Sequence, residues 1–556
     1  MEEYVSNVEM RIEPHTIRDV FQFLDERRFA IPKLQRDFVW NNSKVCKLND
    51  SIYKNLPIGT ILVWETKRTN SNLLKTSLTA LPPYNDSNRN VWFILDGQQR
   101  ISVLHSLRQG SAIKNSRGKT VDFDKMYFTV DGNDHGKFSP TKRHDPGKQV
   151  LVSDILSQNW QTRVKKHKKT KTKYSRIKRC RESIMNYQVP FVFFQSKEID
   201  DAREVFIRIN ALGTPLKTAD RIFSRAAEID LRHLANLART DWAHGFSNLP
   251  DNILQQVLAF DLGKVEVGEK ALDNAIGKLT AQLNESKLSR KAFDKQWKGI
   301  IHAIGLSIDH LRTKCHVADY NILPSTTMVA TLAMFFIYNK NKQPNVHQHK
   351  LLKQWFWTSA VAQRYSGKGY RDNIISDVHF FKKLADNQAK TFVFQEKVPE
   401  SRILHADYSK GSALTKAFYC LLISKKPRYL DSPYEIPLDA VCSSLNEKQK
   451  HHVFPQKLMS TLGFSTKEYN RICNVCFIVA KENPAIGKAK PQEYLQSLDG
   501  RRRGAFLASH ILPLKNDSAL WTSNVKKDYK NFLKERTKLV CKEFESQAGR
   551  KIFSTE

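Results

Sequence analysis

Two short segments of the chain combine residue types that can do chemistry. One reads FILDGQQRISVL at 93–104, where a strand-like apolar run stops at Asp-Gly-Gln-Gln-Arg before apolar residues resume at helical spacing. The other reads QKHHVFPQKL at 449–458 and holds two adjacent histidines. The first arrangement suits binding of a phosphate group, and the second suits activation of water or binding of a metal ion.

The Asp-Gly-Gln-Gln-Arg segment predicts a phosphate or nucleotide site. Gly97 after a strand lets a ligand approach the backbone, and the helix that starts near Gln98 points free N–H groups and a positive dipole end toward it. Arg100 adds a planar fork that matches phosphate, and Asp96 could hold a divalent cation or orient a water. Taken alone, Asp-Gly is also a common turn.

Two other segments supply polar residues that could join this site. IPKLQRDFVW at 31–40 follows a proline with a Gln-Arg pair, and VFIRINALGTPL at 205–216 places polar residues before a Gly-Thr-Pro turn. RGKT at 117–120 is not a P-loop, because Ile113 occupies the position where that motif needs glycine. The candidate residues in the two segments are Gln35, Arg36, Arg208 and Asn210.

The histidine segment could hydrolyse a phosphodiester, a reaction that needs an activated water and a cation on the phosphate. Asn474 and Asn483 follow in NVCFIVAKEN and could complete such a site. On a strand, His451 and His452 would point to opposite faces, so a twist or a bulge is needed before both can serve one site. The alternative is a pair of solvated histidines on a basic surface.

Cys473 and Cys476 form a C-x-x-C pair around the first asparagine. A structural zinc site of this type needs a second pair, and Cys442 alone does not complete four ligands. We therefore expect core cysteines here.

The charge of the chain favours nucleic acid as a partner. Lys and Arg number 90 against 56 Asp and Glu, a formal net charge of +34. Neutralising phosphates would convert this excess into affinity, although a merely basic enzyme is the alternative. Residues 163–181 hold eleven Lys or Arg among nineteen residues, which predicts either a solvated face or disordered loop, or an arm that follows phosphates. The candidate DNA contacts are Lys165, Lys166, Lys168, Lys169, Arg364 and Lys488.

Patterns of hydrophobicity predict an α+β multidomain protein. Helices are expected at 17–24, 45–52 and 205–209, and strands at TILVWE, VWFIL and VPFVFF, which gives an N-terminal α/β domain at 1–225. Helical patterns dominate 226–430, where MVATLAMFFIY from Met328 is too short to span a membrane and predicts a core helix. KKPRYLDSPYEIPLD then predicts a boundary before a C-terminal domain at 431–556. Scattered cysteines and an N-terminus without a signal pattern favour the cytoplasm.

Four segments in order resemble a known family. IPKLQRDFVW, LPIGTILVW, FILDGQQRISVL and VFIRINALGTPL look like the ParB-like DGQQR domain of bacterial anti-phage restriction proteins of the GmrSD and SspE type, over roughly residues 10 to 225. The resemblance implies a module that binds and hydrolyses an NTP, with GTP, ATP and UTP all open, and that senses modified DNA. It implies a nucleotide site made by Asp96, Gly97, Gln98, Gln99 and Arg100, with Gln35 and Arg36 nearby.

The second segment resembles the HNH, or ββα-metal, nuclease motif in its H-N-N form. The resemblance implies that His452 is the general base and that His451 and Asn483 hold one divalent ion. It also implies that Asn474 fixes the loop that bears the base. Many HNH enzymes have histidine where this chain has Asn483, and an amide oxygen suits Mg²⁺ or Mn²⁺ better than Zn²⁺.

Together these resemblances predict a cytoplasmic DNA endonuclease or nickase for anti-phage defence, with an NTP-hydrolysing domain that senses DNA modification. The expected partners are double-stranded phage or modified DNA, an NTP, and other copies of the chain or other defence proteins, with no membrane. One alternative is a nucleotide-switched DNA-binding regulator with an inactive HNH motif. Another is a toxin that cuts only with a second subunit.

Overall fold

The structure is a computed structural model that describes residues 9–555 with several gaps. The chain divides into two compact units, residues 1–234 and 235–556. Within helices and strands the side chains of some further residues are not described, among them those of Asn210 and His451. The gaps lie at 34, 36–37, 68–80, 86–89, 115–119, 132–135, 141–144, 168–169, 197–198, 213–230, 241, 243–244, 264, 285–286, 368, 431, 438–449 and 479–485.

The first unit is built on a mixed five-stranded sheet in the order β1-β10-β3-β4-β2. β1 and β3 run antiparallel to β10 and β4 respectively, whereas β10 pairs parallel with β3 and β2 with β4. Smaller sheets join β5 with β6 and place β7 between β8 and β9. The ten strands described in this unit are β1 Glu9–Thr16, β2 Phe29–Ala30, β3 Ile61–Lys67, β4 Asn90–Asp96, β5 Ala112–Lys114, β6 Thr120–Asp122, β7 Met126–Thr129, β8 Phe138–Pro140, β9 Gln149–Leu151 and β10 Gln188–Gln195.

Helices cover both faces of this sheet. The predicted N-terminal helix is present because Thr16 and Asp19 form a capping box and the four apolar residues at helical spacing are all buried. The strands predicted from TILVWE, VWFIL and VPFVFF are confirmed as β3, β4 and β10. The helices are α1 Ile17–Asp25, α2 Asn42–Tyr53, α3 Gln98–Gln109, α4 Val152–Leu156, α5 Trp160–Arg163, α6 Lys171–Met185 and α7 Ile199–Leu212.

From Lys171 onward the basic run at 163–181 forms a helix with the solvated face that its composition predicts, not a disordered loop. This helix is α6, which buries Ile177 and Cys180 and contacts α2 and α4. Arg181 donates to the carbonyls of Ile155 and Ser157, and Arg176 donates to the carbonyl of Val130. Ile177 and Cys180 are three residues apart and so lie on one helix face, although cations surround them in the sequence. The bonds of Arg176 and Arg181 show that part of the positive charge is used inside the unit.

The second unit is mainly helical up to residue 424. The run from Met328 forms a helix that is buried along its length, as predicted. No helix among the described residues combines the length and the apolar character that crossing a bilayer requires. The helices of this part, the first of which spans the division between the units, are α8 Leu231–Thr240, α9 Asp251–Asp261, α10 Glu269–Asn284, α11 Arg290–Cys315, α12 Thr327–Tyr338, α13 Val346–Val361, α14 Tyr370–Ala385, α15 Glu400–Leu404 and α16 Ala413–Ser424.

The boundary predicted near residue 430 does not separate two units. The chain turns there as predicted, since α16 ends and Arg428 pairs with Glu435 as an isolated bridge. Helices on both sides nevertheless pack together, with α13 and α15 against the last helix, α21. The elements that follow are α17 Gln456–Thr461, α18 Thr466–Tyr469, α19 Pro491–Gln496, α20 Gly500–Ser509 and α21 Val525–Ala548, with strands β11 Val398–Pro399, β12 Lys450–His452, β13 Val475–Phe477 and β14 Phe553–Ser554.

Candidate functional site

The Asp-Gly-Gln-Gln-Arg segment lies where β4 passes into α3. Gly97 has φ of +92° and is the N-cap of α3, so the helix begins without a side chain that caps it. A Cβ atom at Gly97 would collide with the side chain of Ile61 on β3. Glycine is therefore required here both for the backbone conformation and for space. The first turn of α3 presents its N–H groups at the end of the sheet.

Arg100 connects this segment to the loop before β3. Its guanidinium donates to Oδ2 of Asp96 at 2.8 Å and to the carbonyl oxygen of Ile58 at 2.6 Å. The side chain of Arg100 is 13% exposed, whereas that of Asp96 is 43% exposed. Gly59 makes room for this arrangement, because a Cβ atom there would lie 2.5 Å from Nη1 of Arg100. Arg100 is thus a brace, and its predicted contact with phosphate stays a prediction.

Two glutamines attach the IPKLQRDFVW segment to the same place. The side-chain amide of Gln35 is buried and donates to the carbonyls of Ile94 and Leu95 on β4. The side chain of Gln99 accepts a hydrogen bond of 2.9 Å from the backbone N–H of Val39. Three of the four segments that carry the family resemblance therefore meet around the start of α3.

The remaining predicted residues of this site contribute less. Gln98 is 6% exposed, and its buried Oε1 atom has no hydrogen-bond partner in the part of the chain that the structure describes. Arg208 is exposed on α7 and pairs with Glu204 at 2.6 Å. Arg36 and the side chain of Asn210 lie outside the described residues. The structure thus brings Gln35 together with the five residues at 96–100, and it does not bring Arg208 into hydrogen-bonding contact with them.

The histidine segment forms the strand β12, which pairs antiparallel with β13. His452 lies opposite Val475, and the three pairs of this ladder follow each other without a register shift. Neighbouring side chains on a strand point to opposite faces, so both histidines could serve one site only with a twist or a bulge. The pairing of β12 with β13 contains no bulge. His452 is 7% exposed. The side chain of His451 and the whole of Asn483 lie outside the described residues.

Asn474 joins the two ends of this small sheet. Its Oδ1 accepts from the backbone N–H of Phe454 at 2.9 Å, and its Nδ2 donates to the carbonyls of Phe454 and Tyr469 at 3.2 and 2.9 Å. The side chain is completely buried. These bonds hold the chain two residues after His452, which is the kind of contact that the HNH resemblance implies for this asparagine.

Asn470 is a neighbour of His452 that the sequence did not point to. Its Nδ2 donates to the carbonyl of Tyr408 at 3.0 Å, which turns its Oδ1 toward Nε2 of His452 at 3.3 Å. An amide oxygen only accepts, so Nε2 carries the proton and Nδ1 is the basic nitrogen of the neutral ring. The rings of Tyr408 and Tyr469 lie edge-on to the imidazole at 6.3 and 6.1 Å.

The described residues offer no complete metal site. No group of three or more His, Cys, Asp or Glu side chains among them could hold an ion. The two metal ligands that the resemblance implies are His451 and Asn483, and the side chain of the first and the whole of the second lie outside the described residues. The metal ligands therefore stay a prediction. Cys473 and Cys476 are buried, and Sγ of Cys473 lies 3.4 Å from Oγ1 of Thr537, which confirms the prediction of core cysteines.

A buried arginine on α21 supports this region and was missed by sequence reasoning. Arg536 is fully buried and donates to the carbonyls of Cys473, His510 and Ile511 at 2.8 to 3.2 Å. Burial lowers the pKa of its guanidinium. Three carbonyl oxygens replace the water that a cation normally needs. The signal in the sequence is its spacing, because Arg536 stands four residues from both Phe532 and Val540, whereas the exposed lysines lie off that row.

The residues predicted to bind DNA separate into three groups. Lys165, Lys166 and Lys488 are exposed, and Lys168 and Lys169 lie outside the described residues. Arg364 has a different role, since its side chain is 14% exposed and pairs at 2.6 Å with Asp377, which is 1% exposed. A carboxylate buried to this degree needs a cation beside it, so Arg364 is held inward.

Sequence comparisons agree with the arrangement in the first unit. Residues 17–226 match the profile of the GmrSD restriction endonuclease, N-terminal domain, and this range includes all the segments around the start of α3. The chain is also similar to the uncharacterized protein MJ0686 of Methanocaldococcus jannaschii, with 22% identity over 535 residues and coverage of 88% of both chains. The first match shows that the first unit is similar to the N-terminal domain of a GmrSD restriction endonuclease.

Proposed function

We propose that this protein is a restriction-type DNA endonuclease of anti-phage defence, in which the first unit binds and hydrolyses an NTP and the HNH-like region of the second unit cleaves DNA. The observation that carries the proposal is the match of residues 17–226 to the N-terminal domain of the GmrSD restriction endonuclease. The excess of 34 positive charges fits a polyanionic substrate.

The nucleotide site of the proposal is the start of α3. Gly97 leaves the first turn of the helix without a capping side chain, so its N–H groups and dipole can receive a phosphate. Oε1 of Gln98 has no hydrogen-bond partner among the described residues, and the carboxylate of Asp96 is 43% exposed. Both groups are acceptors, so they suit a hydroxyl group of the nucleotide or a divalent cation rather than the phosphate itself. A ligand that inserts here would compete with Asp96 and Ile58 for Arg100, which links nucleotide binding to the loop before β3.

The cleavage site of the proposal is centred on His452. Nδ1 of His452 takes a proton from a water molecule, and the resulting hydroxide attacks phosphorus while the ester oxygen leaves. Asn470 holds the ring in the required tautomer, and Asn474 fixes the backbone after the strand. His451 and Asn483 would hold Mg²⁺ or Mn²⁺, which would stabilise the negative charge of the phosphate when bound.

Cleavage of plasmid DNA in the presence of Mg²⁺ tests the nuclease half. His452→Ala should lose at least about 100-fold in rate, since general base catalysis contributes that much, and DNA binding should be kept. His379→Ala, which removes an exposed histidine of the same unit, is the matched control. Wild-type cleavage by His452→Ala would refute the assignment. DNA binding by the wild type without cleavage under any divalent ion would favour the nucleotide-switched regulator.

Turnover of GTP, ATP and UTP tests the nucleotide half. Arg100→Ala should abolish turnover, and Arg108→Ala is the control because it removes an ion pair of the same helix, with Asp25, away from the motif. Asp96→Asn keeps the size of the side chain and separates loss of chemistry from loss of folding. If both Arg100→Ala and Asp96→Asn hydrolyse NTP at the wild-type rate, the nucleotide site lies elsewhere.

Control of cleavage by nucleotide requires two states of the protein with different affinities for NTP. The proposal is that modified DNA favours one of these states. Cleavage of modified and unmodified phage DNA with and without each NTP would show this coupling as a nucleotide-dependent difference between the two substrates. Equal cleavage of both DNAs under all conditions would remove the sensing role and leave the nuclease.

A further inference from the structure

The last helix, α21, separates a buried row from a charged row along its length. The buried row consists of residues spaced four apart, and each of them is completely inaccessible to solvent: Phe532, Arg536, Val540 and Phe544. Two positions away from each of them stands an exposed lysine, and two residues correspond to roughly 200° around an α-helix. Both rows repeat every four residues, so they drift around the axis together and stay opposite. We call these lysines the lysine row: Lys530, Lys534, Lys538 and Lys542.

The acidic residues of the same helix are used internally. Asp528 accepts from the hydroxyl of Thr522 at 2.7 Å, and Glu535 accepts from the backbone N–H of Ala519. Glu543 pairs with Lys425 at 3.2 Å, and Glu545 pairs with Lys551 at 2.9 Å. The lysine row, in contrast, makes no hydrogen bond or ion pair with any residue that the structure describes. The charges of Lys534, Lys538 and Lys542 are therefore directed to solvent, whereas Lys530 lies close enough to Glu468 to interact with its carboxylate.

The buried face of α21 holds the histidine segment and its asparagine in place. Arg536 donates to the carbonyl of Cys473, the residue before Asn474. The ring of Phe532 lies 4.9 Å from that of Phe454, and the hydroxyl of Tyr529 donates to the carbonyl of Glu468. The lysine row is thus fixed, through one rigid helix, to the loops that surround His452.

We propose that the lysine row, on the face of α21 that points away from the His452 loops, binds the phosphate backbone of duplex DNA outside the cleavage site itself. The row extends over roughly 18 Å at 1.5 Å per residue, and a duplex of that length carries about ten phosphates at one per 1.7 Å. This inference rests on the proposed function, because it takes DNA as the ligand.

A triple variant of the full chain tests the lysine row. Lys534→Gln, Lys538→Gln and Lys542→Gln together remove three charges and keep most of the side-chain length. The matched control removes three exposed lysines from α11 in the same unit, as Lys291→Gln, Lys295→Gln and Lys298→Gln. Both proteins have the same net charge, so a difference between them reports where the charges lie.

Binding to a short DNA duplex is measured in EDTA, which prevents cleavage, at several salt concentrations. The slope of log affinity against log salt should become shallower by about 2 to 3 for the lysine-row variant, because each lost phosphate contact changes it by about 0.9. The control should keep the wild-type slope. In Mg²⁺, the lysine-row variant should raise KM for cleavage and keep kcat.

An unchanged slope for the lysine-row variant, or an equal change in both variants, would overturn the inference while leaving the proposed function intact. A lysine-row variant that loses binding to RNA but binds DNA as the wild type does would also overturn the inference. If the wild type itself neither binds nor cleaves DNA, the proposed function fails instead.

Discussion

Asn474 and Phe454, twenty residues apart, are joined by two hydrogen bonds: Oδ1 of Asn474 accepts from the N–H of Phe454, and its Nδ2 donates to the carbonyl of the same residue. The backbone N–H of Val453 also donates to the carbonyl of Asn474 at 2.7 Å. The buried side-chain amide of Asn474 therefore satisfies both backbone polar groups of Phe454, which lies beyond the end of the strand β12. This clamp fixes the backbone immediately after the strand that carries His452.

Asn474→Ala should remove cleavage and destabilise the second unit. It leaves the N–H and carbonyl of Phe454 and the carbonyl of Tyr469 buried without partners, at a cost of about 3 kcal/mol in total. Urea unfolding and plasmid cleavage measure the two effects. Asn516→Ala, an exposed asparagine of the same unit, should change neither. Full activity of Asn474→Ala at wild-type stability would rule out the clamp.

Asn470→Asp should shift the pH dependence of cleavage. A carboxylate in place of the amide oxygen that now lies 3.3 Å from Nε2 would stabilise the imidazolium form of His452 and raise its pKa. Because the base works deprotonated, the acidic limb of the pH–rate profile should move to higher pH by about one unit. Asn516→Asp adds the same charge at an exposed site and should leave the profile in place. An unshifted profile for Asn470→Asp would show that His452 is not the titrating base.

Gly59→Ala should destabilise the protein more than the left-handed backbone conformation of residue 59 alone explains, because the added Cβ atom displaces Arg100. Gly59 has φ of +85°, and the added Cβ atom would lie 2.5 Å from Nη1 of Arg100, so the guanidinium must leave the carbonyl of Ile58. Gly136→Ala is the matched control, since its φ is +87° but its nearest neighbour is at an ordinary 3.5 Å. Both should lose about 1 kcal/mol to the left-handed conformation. Only Gly59→Ala should lose further stability and NTP turnover, and equal effects in both would contradict the role of Arg100 as a brace.

His510 should make the second unit less stable at acidic pH. Burial lowers its pKa from 6.5 to about 4, with ring nitrogens 2.9 Å from the carbonyls of Phe506 and Phe477. As pH falls from about 6.5 toward 4, the unfolded chain binds a proton that the folded chain does not, so stability decreases.

Urea unfolding across that pH range compares His510→Gln with the wild type. As pH falls, the free energy of unfolding of the variant should decrease less steeply than that of the wild type, by up to about 1.4 kcal/mol per pH unit. This difference corresponds to one proton. The exposed-site variant His379→Gln should follow the wild type. Parallel curves for His510→Gln and the wild type would show that His510 does not account for this dependence.

Several local features could be read directly from the sequence. The spacing of Ile17, Val20, Phe21 and Leu24 predicted α1, and the apolar runs around residues 62, 93 and 192 predicted three strands of the main sheet. These predictions succeed because side-chain periodicity is a property of neighbouring residues. The basic run at 163–181 has the predicted solvated face, but its buried side was not predicted because cations outnumber the apolar residues that α6 buries.

Contacts between distant segments could not be read in this way. Nothing in the sequence indicated that Asp96 and Ile58 hold the guanidinium of Arg100, and the contact of Arg100 with phosphate stays a prediction. Arg364 was expected at the surface, yet the buried carboxylate of Asp377 draws it inward. Asn470 carries no motif, and only the position of Tyr408, far from it in the chain, turns its oxygen toward His452.

The sequence by itself determined the elements around residues 17, 45, 62 and 93, the glycine turn at Gly97, and the order of the segments that resemble one family, because these depend on residue type and local spacing. Tertiary structure decided which cations face solvent, such as Lys534, and which are enclosed, such as Arg536, two residues away on the same helix. The reason is physical: whether a charge is solvated depends on what packs over it, and those groups come from other parts of the chain.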